Sequence, residues 1–491
     1  MSATASERWI ARGWIVLALS SALHFLSDNE ADNDLWMHLF SGRHILAHGA
    51  VPGVDDASYT AAGAPWVDHE WLAQVALAAL FEIGGSPTLW AVKLAIGVLT
   101  AGLMWLLVRR AAAMPSARGA AMVLALATMA RGYAVRPQVL SYLGLAALLA
   151  WLVLRGSRRV TWQTYLGLAG AFAVWANLHG AVIAGLAVLA IYAAVGGEGT
   201  PARAQRVAFL AAAVLGCCVN PYGPALFAYI AGELRVAHPI SEWQAVDLFD
   251  TAHRPFAVSL VALVLTLPFA RLLRRHGWWA VLVAGLAVMA LRAQRHTPLF
   301  AICAAAPLAD QLDGAFRWLS ARVRLSAAAT AGIAAGLCSL AAVQLASLAY
   351  ALWHDRGALM FEAGEYPVGA LRHVRQTAIR GNLAVPLDWG GYALFHAAPA
   401  VKVSLDGRFA TVYPPRVVED GFAFFRGDGD SRLLDAYPTD LALVPHDLRT
   451  AAHARPGWRV LYADDVATLY GRDGLPASGV HAAPRGRQRF P

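Results

Sequence analysis

The recurrence of long apolar runs limits this chain more than any other feature. Crossing a bilayer as a helix takes roughly 17–25 apolar residues. Candidate segments fall at Trp9–Leu26, Pro87–Val108, Ala117–Ala130, Val139–Leu154, Trp162–Ala176, Ala181–Val195, Val207–Val219, Phe256–Phe269, Trp278–Leu291, Pro298–Ala309 and Leu325–Leu352. Of the 491 residues, 58% are hydrophobic and 15% are charged, whereas a soluble domain is nearer a quarter charged. The expectation is a polytopic α-helical membrane protein of about 11 transmembrane helices. The N-terminal run lacks a clean small-residue cleavage site, so it reads as a retained first span. Cys217, Cys218, Cys303 and Cys338 all sit in apolar runs and read as small core residues rather than a disulfide framework.

Arginine sets the expected orientation. With Arg8 and Arg12 on the cytoplasmic side, the inward loops hold Arg109, Arg110 and Arg118; Arg155, Arg158 and Arg159; Arg203 and Arg206; Arg271, Arg274 and Arg275; Arg317, Arg322 and Arg324. Cytoplasmic loops carry the Lys/Arg excess, and each of these five does. The net charge of +8 then serves topology and anionic lipid rather than nucleic acid. The first loop and the C-terminal region face outward. Outward loops also hold arginines: Arg131 and Arg136 in RGYAVRPQ, Arg254 near Glu242 and Asp247, and Arg292 and Arg295 in RAQRH. Such arginines either snorkel toward headgroups or bind an anion.

Residues 1–353 form the expected transmembrane domain, with a first extracytoplasmic loop at 27–86. From 354 to 475, short β-like runs (Leu383–Leu387, Val401–Leu405, Leu441–Val444, Val460–Tyr462, Val466–Tyr470) alternate with helical stretches at Val368–Ile379 and Ser431–Ala436. This pattern predicts a C-terminal extracytoplasmic α/β domain. The tail, 476–491, is rich in Pro, Gly and Arg and is expected to be disordered.

The first loop concentrates acids, histidines and tryptophans directly after the first span. Asp32 and Asp34 flank Asn33, and LWMHLFSGRHILAHG follows at helical spacing. A turn at Pro52–Gly53 comes next. PWVDHEWLAQVALAALFEIGG then begins a second amphipathic helix suited to a membrane surface. Asp32, Asp34, Trp36, Gly42, Pro65, Trp66, Trp71 and Phe81–Gly85 resemble the first extracytoplasmic loop of the GT-C superfamily of glycosyltransferases. That group includes protein O-mannosyltransferases, oligosaccharyltransferases and aminoarabinose transferases. The loop is also similar to that of bacterial membrane proteins with a D-x-D-L-W-x-H-L motif and an outward C-terminal domain.

The resemblance implies a glycosyltransferase of the bacterial inner membrane, working in the cell envelope on the outer face. It implies a polyprenyl-phosphate-linked sugar donor and membrane lipid as partners. Asp34 or Asp32 would be the general base for an acceptor hydroxyl, in a single displacement with inversion. Arg131, Arg136, Arg292 and Arg295 would stabilise the leaving phosphate, with His38, His179 and Glu242 as further substrate-binding candidates. A second acidic motif, common in that superfamily, is missing from RGYAVRPQ. A divalent cation is therefore open, with Asp32, Asp34, Glu242 and His38 as conceivable ligands but no diagnostic spacing. In the outer domain, Trp389, Tyr392, Asp406 and Arg408 are candidate acceptor contacts.

Plainer readings stand beside these. Asp32 and Asp34 suit a helix N-cap, the histidines suit interface hydrogen bonding, and the tryptophans suit an interfacial belt. Asp406-Gly407-Arg408 suits a structural turn, with Arg408 paired to Asp406 or Asp388. A lipid or polysaccharide transporter and a noncatalytic anchor presenting the outer domain are the functional alternatives.

Overall fold

The computed structural model describes residues 5–233, 241–427 and 429–491. Its helices are α1 Ala5–Leu26, α2 Asp34–His48, α3 Trp71–Ala111, α4 Pro115–Ala130, α5 Gln138–Arg155, α6 Trp162–Leu178, α7 Val182–Val195, α8 Arg203–Cys217 and α9 Ala225–Glu233. They continue as α10 Arg254–Leu265, α11 Arg271–Arg275, α12 Gly277–Arg292, α13 Thr297–Ser320, α14 Ala327–Asp355, α15 Val368–Gln376, α16 Leu387–Ala397, α17 Pro415–Phe424 and α18 Arg432–Ala436. The chain divides into two compact units. The first is Met1–Asn29, Trp90–Gly223 and Ala237–Gly357; the second is Glu30–Leu89, Pro224–Val236 and Ala358–Pro491.

The first unit is a helix bundle. Each of the eleven apolar segments read from the sequence falls on a helix, and among the described residues five helices are long and apolar enough to cross a membrane: Arg8–Leu26, Trp71–Ala111, Gln138–Arg155, Gln294–Ser320 and Ala327–Asp355. Val182–Val195, Thr251–Leu265 and Gly277–Arg292 are shorter apolar helices. The chain is a multi-pass membrane protein. Helix α1 packs on α4 and α14, and α13 packs on α4 and α12. Ser20 Oγ donates to Gln344 Oε1 at 2.7 Å between α1 and α14.

Loops of one kind gather at each end of this bundle. Asp313 near the end of α13 accepts the Ala113 and Met114 amides before α4 and the guanidinium groups of Arg271 and Arg317. Leu107, Arg110, Gly156, Glu198, Thr200, Leu272 and His276 line one cavity. The five arginine-rich loops therefore share an end. At the other, Gln294 N donates to Gln244 O and Val246 N to Leu291 O, and Arg136 pairs with Glu242. Helix α5 runs from one group to the other.

The second unit joins the first loop to the C-terminal residues. This differs from the expected division, which left residues 27–86 with the bundle. Its strands are β1 Met360–Glu362, β2 Gly381–Ala384, β3 Val401–Val403, β4 Leu441–Pro445, β5 Trp458–Ala463, β6 Ala467–Arg472, β7 Gly479–Val480 and β8 Arg487–Arg489. A six-stranded sheet runs β3-β2-β4-β6-β5-β7, and β1 pairs with β8. Strand β2 is parallel to β3 and β4, whereas β6 is antiparallel to β4 and β5. Phe424, Leu433, Leu434, Val444 and Tyr470 fill the core on one side of the sheet. Trp66 and Ala61 of the first loop pack with Leu405, Val412, Tyr413 and Val417. Ser58 bridges to Val403 beside the sheet edge.

The tail expected to be disordered is instead ordered. It carries β7 and β8, and its penultimate residue, Phe490, is 1% exposed. Phe490 stacks on Trp36 at 4.1 Å, and the backbone amide of Phe490 donates to Leu359 O. One apolar residue outweighs the polar composition around it, because a buried Phe gains about 2–3 kcal/mol over an exposed one.

The second amphipathic helix of the first loop runs into the following apolar segment as α3, but not straight. Gly84 (φ −155°, ψ 20°) and Gly85 (φ 65°, ψ −158°) break it, and Pro87 follows. Proline cannot donate the amide that a continuous helix needs, and glycine tolerates the positive φ.

Candidate active site

In the second unit the candidate residues converge on the start of α2. Asp32 Oδ1 accepts the Asp34 amide at 2.9 Å, so the acid two residues upstream holds the first turn of α2. Tyr366 OH donates to Asn33 Oδ1 at 3.2 Å. Trp36 is fully buried, with Tyr392, Phe361, Tyr366 and Phe395 edge-on to it at ring separations of 4.8–5.9 Å. These aromatic contacts fix the face of α2 and leave Asp34 and His38 half-buried on another.

The turn carrying Asp406, Gly407 and Arg408 lies against Asp34. A Cβ built on Gly407 would sit 3.1 Å from Asp34 Oδ1. The turn is held by a buried charge cluster. Arg408 donates through Nε and Nη2 to Asp406 at 2.9 and 2.7 Å, and its Nη1 lies 2.7 Å from Asp55 Oδ1. Tyr413 OH donates to Asp406 Oδ2 at 2.6 Å. The Arg408 guanidinium lies over the Trp66 ring at 4.8 Å. Burial would lift the Asp406 carboxyl, but the charge and hydrogen bonds of Arg408 and Tyr413 outweigh it and hold it below the ordinary carboxylate range. Asp406 is 0% and Arg408 7% exposed. Their polar atoms are engaged inside the unit, so these two build the turn rather than face a solute.

Helix α16 supplies the next wall. Trp389 Nε1 donates to Glu365 O at 2.8 Å, and Tyr392 is buried against Trp36. A Cβ on Gly390 would fall 2.0 Å from Leu405 O, so only glycine lets the helix approach this closely. Asp388, at the head of α16, has its carboxyl raised first by the protein packed around it and then by Asp34.

One group of the first loop was not among the candidate site residues. Asp68, His69 and Glu70 sit just before α3. Asp68 is 2% exposed, accepts from Gln74 Nε2 at 2.8 Å and is pushed up to about 7, chiefly by burial and then by Glu70. Glu70 lies 3.9 Å from His38 Nδ1 and 3.7 Å from His69 Nε2. The His69 ring is 5.3 Å from that of Tyr229. The signal was present: three consecutive ionisable residues at the head of an apolar helix are costly unless used. Asp34, Asp68, Glu70 and Asp388 thus belong to one acidic region interleaved with imidazoles. Among the described residues, no three His, Cys, Asp or Glu side chains converge to hold a metal ion.

In the first unit, the candidate arginines fall into three situations. Arg136 pairs with Glu242 at 2.5 Å. Arg295 lies over the Trp243 ring at 4.3 Å, and Tyr142 lies within the fields of Arg295, Glu242 and Arg136. Arg131 lies beside Asp250 at 3.9 Å, and Asp250 also meets His253 at 3.5 Å. Arg292 is exposed on the last turn of α12. His179 is 6% exposed, its Nδ1 2.9 Å from Ser141 Oγ and 3.2 Å from the Ala181 amide. Trp175 Nε1 donates to the same Ser141 hydroxyl at 2.8 Å. His179 thus ties α5 to the end of α6.

No family model matches this sequence, and no curated protein matches it. Solved structures do. The oligosaccharyltransferase of Archaeoglobus fulgidus in its apo form is 12% identical and aligns over 89% of this chain and 70% of its own, with a TM-score of 0.58. ArnT from Cupriavidus metallidurans, in its apo state, is 14% identical over 95% of this chain and 99% of its own, with a TM-score of 0.55. ArnT bound to undecaprenyl phosphate aligns at a TM-score of 0.51. The mycobacterial arabinofuranosyltransferase AftD is 17% identical over 97% of this chain and 40% of its own, with a TM-score of 0.50.

Proposed function

We propose that this chain, which has the GT-C fold, is a membrane glycosyltransferase that moves a sugar from a polyprenyl-phosphate-linked donor to an acceptor hydroxyl. The reaction takes place on the outer face of the inner membrane, with the arginine-rich end of the bundle cytoplasmic. The carrying observation is the half-buried Asp34 at the start of α2, fixed by Asp32 and flanked by Gly407, within a fold matched end to end by ArnT.

The Asp34 carboxylate takes the acceptor proton as the hydroxyl oxygen attacks the anomeric carbon. The bond from that carbon to the lipid phosphate breaks, and the phosphate leaves with the electron pair. One displacement inverts the anomeric centre. In the first unit, Arg136 and Arg295 offer guanidinium groups to a lipid phosphate, with Arg131 and Arg292 as further cations and Glu242 orienting Arg136. Asp68 is pushed up to about 7, chiefly by burial, and accepts from Gln74. His38 relays to Glu70, and His179 holds the end of α6 in place. Trp389 and Tyr392 pack inside the unit behind α2, while Asp406 and Arg408 hold Gly407 beside Asp34.

The test is donor engagement by the purified full chain in nanodiscs. Undecaprenyl phosphate, measured by native mass spectrometry, is expected to bind the wild type and to bind Arg136→Gln/Arg295→Gln at least roughly tenfold more weakly. Equal binding by both would remove the phosphate role from this cluster.

A further inference from the structure

A cavity of about 330 Å³ opens at the arginine-rich end of the bundle. It lies at the far end of α5 from Arg136, Glu242 and Arg295, and 18 helical residues span about 27 Å. Its floor is apolar, with Leu107, Leu152, Val153 and Trp279 among the lining residues. Its polar groups are Arg110, Tyr192, His276, Glu198 and Thr200.

Those polar groups differ in what they already hold. Thr200 Oγ1 accepts from Arg206 and donates to Gly197 O. Glu198 lies 3.8 Å from Arg275 and is exposed. The side chains of Arg110, His276 and Tyr192, in contrast, have no hydrogen-bond partner among the described residues. Tyr192 is the most telling, because it is 2% exposed. Its ring is packed edge-on to Trp278 at 5.2 Å, yet its hydroxyl is left for the cavity. The hydroxyl reaches the open volume of the cavity, where it can donate to an acceptor. Glu198 lies beside Arg275, and Arg110 stands exposed at the cavity rim.

We infer that this cavity binds the headgroup of an anionic phospholipid. The phosphate accepts hydrogen bonds from the Arg110 guanidinium, the Tyr192 hydroxyl and the His276 imidazole, and the first methylenes of the chains lie over Leu107 and Leu152. The volume is at the lower end of ligand sites, which suits a headgroup and the start of its chains. Basic pockets between helix ends are where anionic headgroups settle. The site is separate from sugar transfer and anchors the arginine-rich end to the leaflet.

The probe is dioctanoyl phosphatidylglycerol, titrated into the full-length protein in detergent and read by native mass spectrometry. Dioctanoyl phosphatidylcholine and inorganic phosphate are run as separate arms. One equivalent of the glycerol lipid should bind. Arg110→Gln and Tyr192→Phe should each weaken it by at least roughly tenfold. Arg109→Gln, one residue away but not lining the cavity, should change it by less than about twofold. Tyr192→Phe keeps the ring packing, so its loss of binding is not a loss of folding, and a thermal melt confirms this. Equal binding of the choline lipid, equal binding of free phosphate, or indifference to both cavity variants would overturn the assignment.

Discussion

Arg408 offers the sharpest energetic prediction. It bridges Asp55 and Asp406 at 2.7 Å each, and all three side chains are buried. Arg408→Gln keeps much of the volume but leaves two carboxylates facing one another with no cation between them. Removing one partner of a buried ion cluster costs about 3–5 kcal/mol. For a unit of 150–250 residues, each kcal/mol moves the melting temperature by roughly 2–4 °C. The expected fall is therefore on the order of 6–20 °C, read from thermal unfolding of the purified protein in detergent. Adding Asp55→Asn to Arg408→Gln should recover part of the loss, since one stranded charge is then gone. The pH dependence has a definite sign. Asp406 is held below the ordinary carboxylate range, so its contribution is present above that range and is lost as pH falls through its depressed folded value. The wild-type advantage should persist at neutral pH and shrink only in acid. A variant melting within about 2 °C of wild type at pH 7 would refute this account of the turn.

Two further perturbations follow from the same unit. The folded Asp68 carboxyl is raised from its model-compound 3.8 to about 7, so the folded state binds a proton that the unfolded chain releases. That contribution is full below the unfolded value and is lost as pH rises through 7. Asp68→Asn should melt close to wild type at about pH 3.5 and above it at pH 8, by on the order of 4 kcal/mol. A constant difference across that range would contradict the shift. Gly390→Ala places a Cβ 2.0 Å from Leu405 O; α16 must retreat from the Asp406 turn, at about 1–3 kcal/mol. An unchanged melting temperature would show that the close approach is not needed.

The eleven apolar segments and the five strand runs of the outer domain were legible because hydrophobic runs and period-2 alternation are local signals. Each run found its element, from Leu441–Pro445 to Ala467–Arg472. Helix α16 was harder to see. Gly390 and Gly391 signalled a close approach, but glycine pairs disfavour the helix that makes it, and only packing against Leu405 and Met37 explains both. The partition into units was not legible. Residues 30–89 group with the C-terminal segment through contacts such as Arg408 with Asp55 and Trp66, and no local pattern encodes a partner more than 300 residues away. The tail failed for a similar reason, since composition averages over Phe490. Asp32 and Asp34 stood out as isolated acids after a span. Asp68 did not, because its significance lies in burial, which a sequence does not display.

The most direct test of the account is the turnover of one carboxylate. The purified chain in liposomes is given a panel of undecaprenyl-phosphate-linked sugars with an envelope lipid extract as acceptor, and release of undecaprenyl phosphate is followed. The wild type should release it, and Asp34→Asn should do so at least ~100-fold more slowly while melting at the same temperature. Release by Asp34→Asn at the wild-type rate would contradict a general base at this position and leave the chain without the transfer chemistry assigned to it.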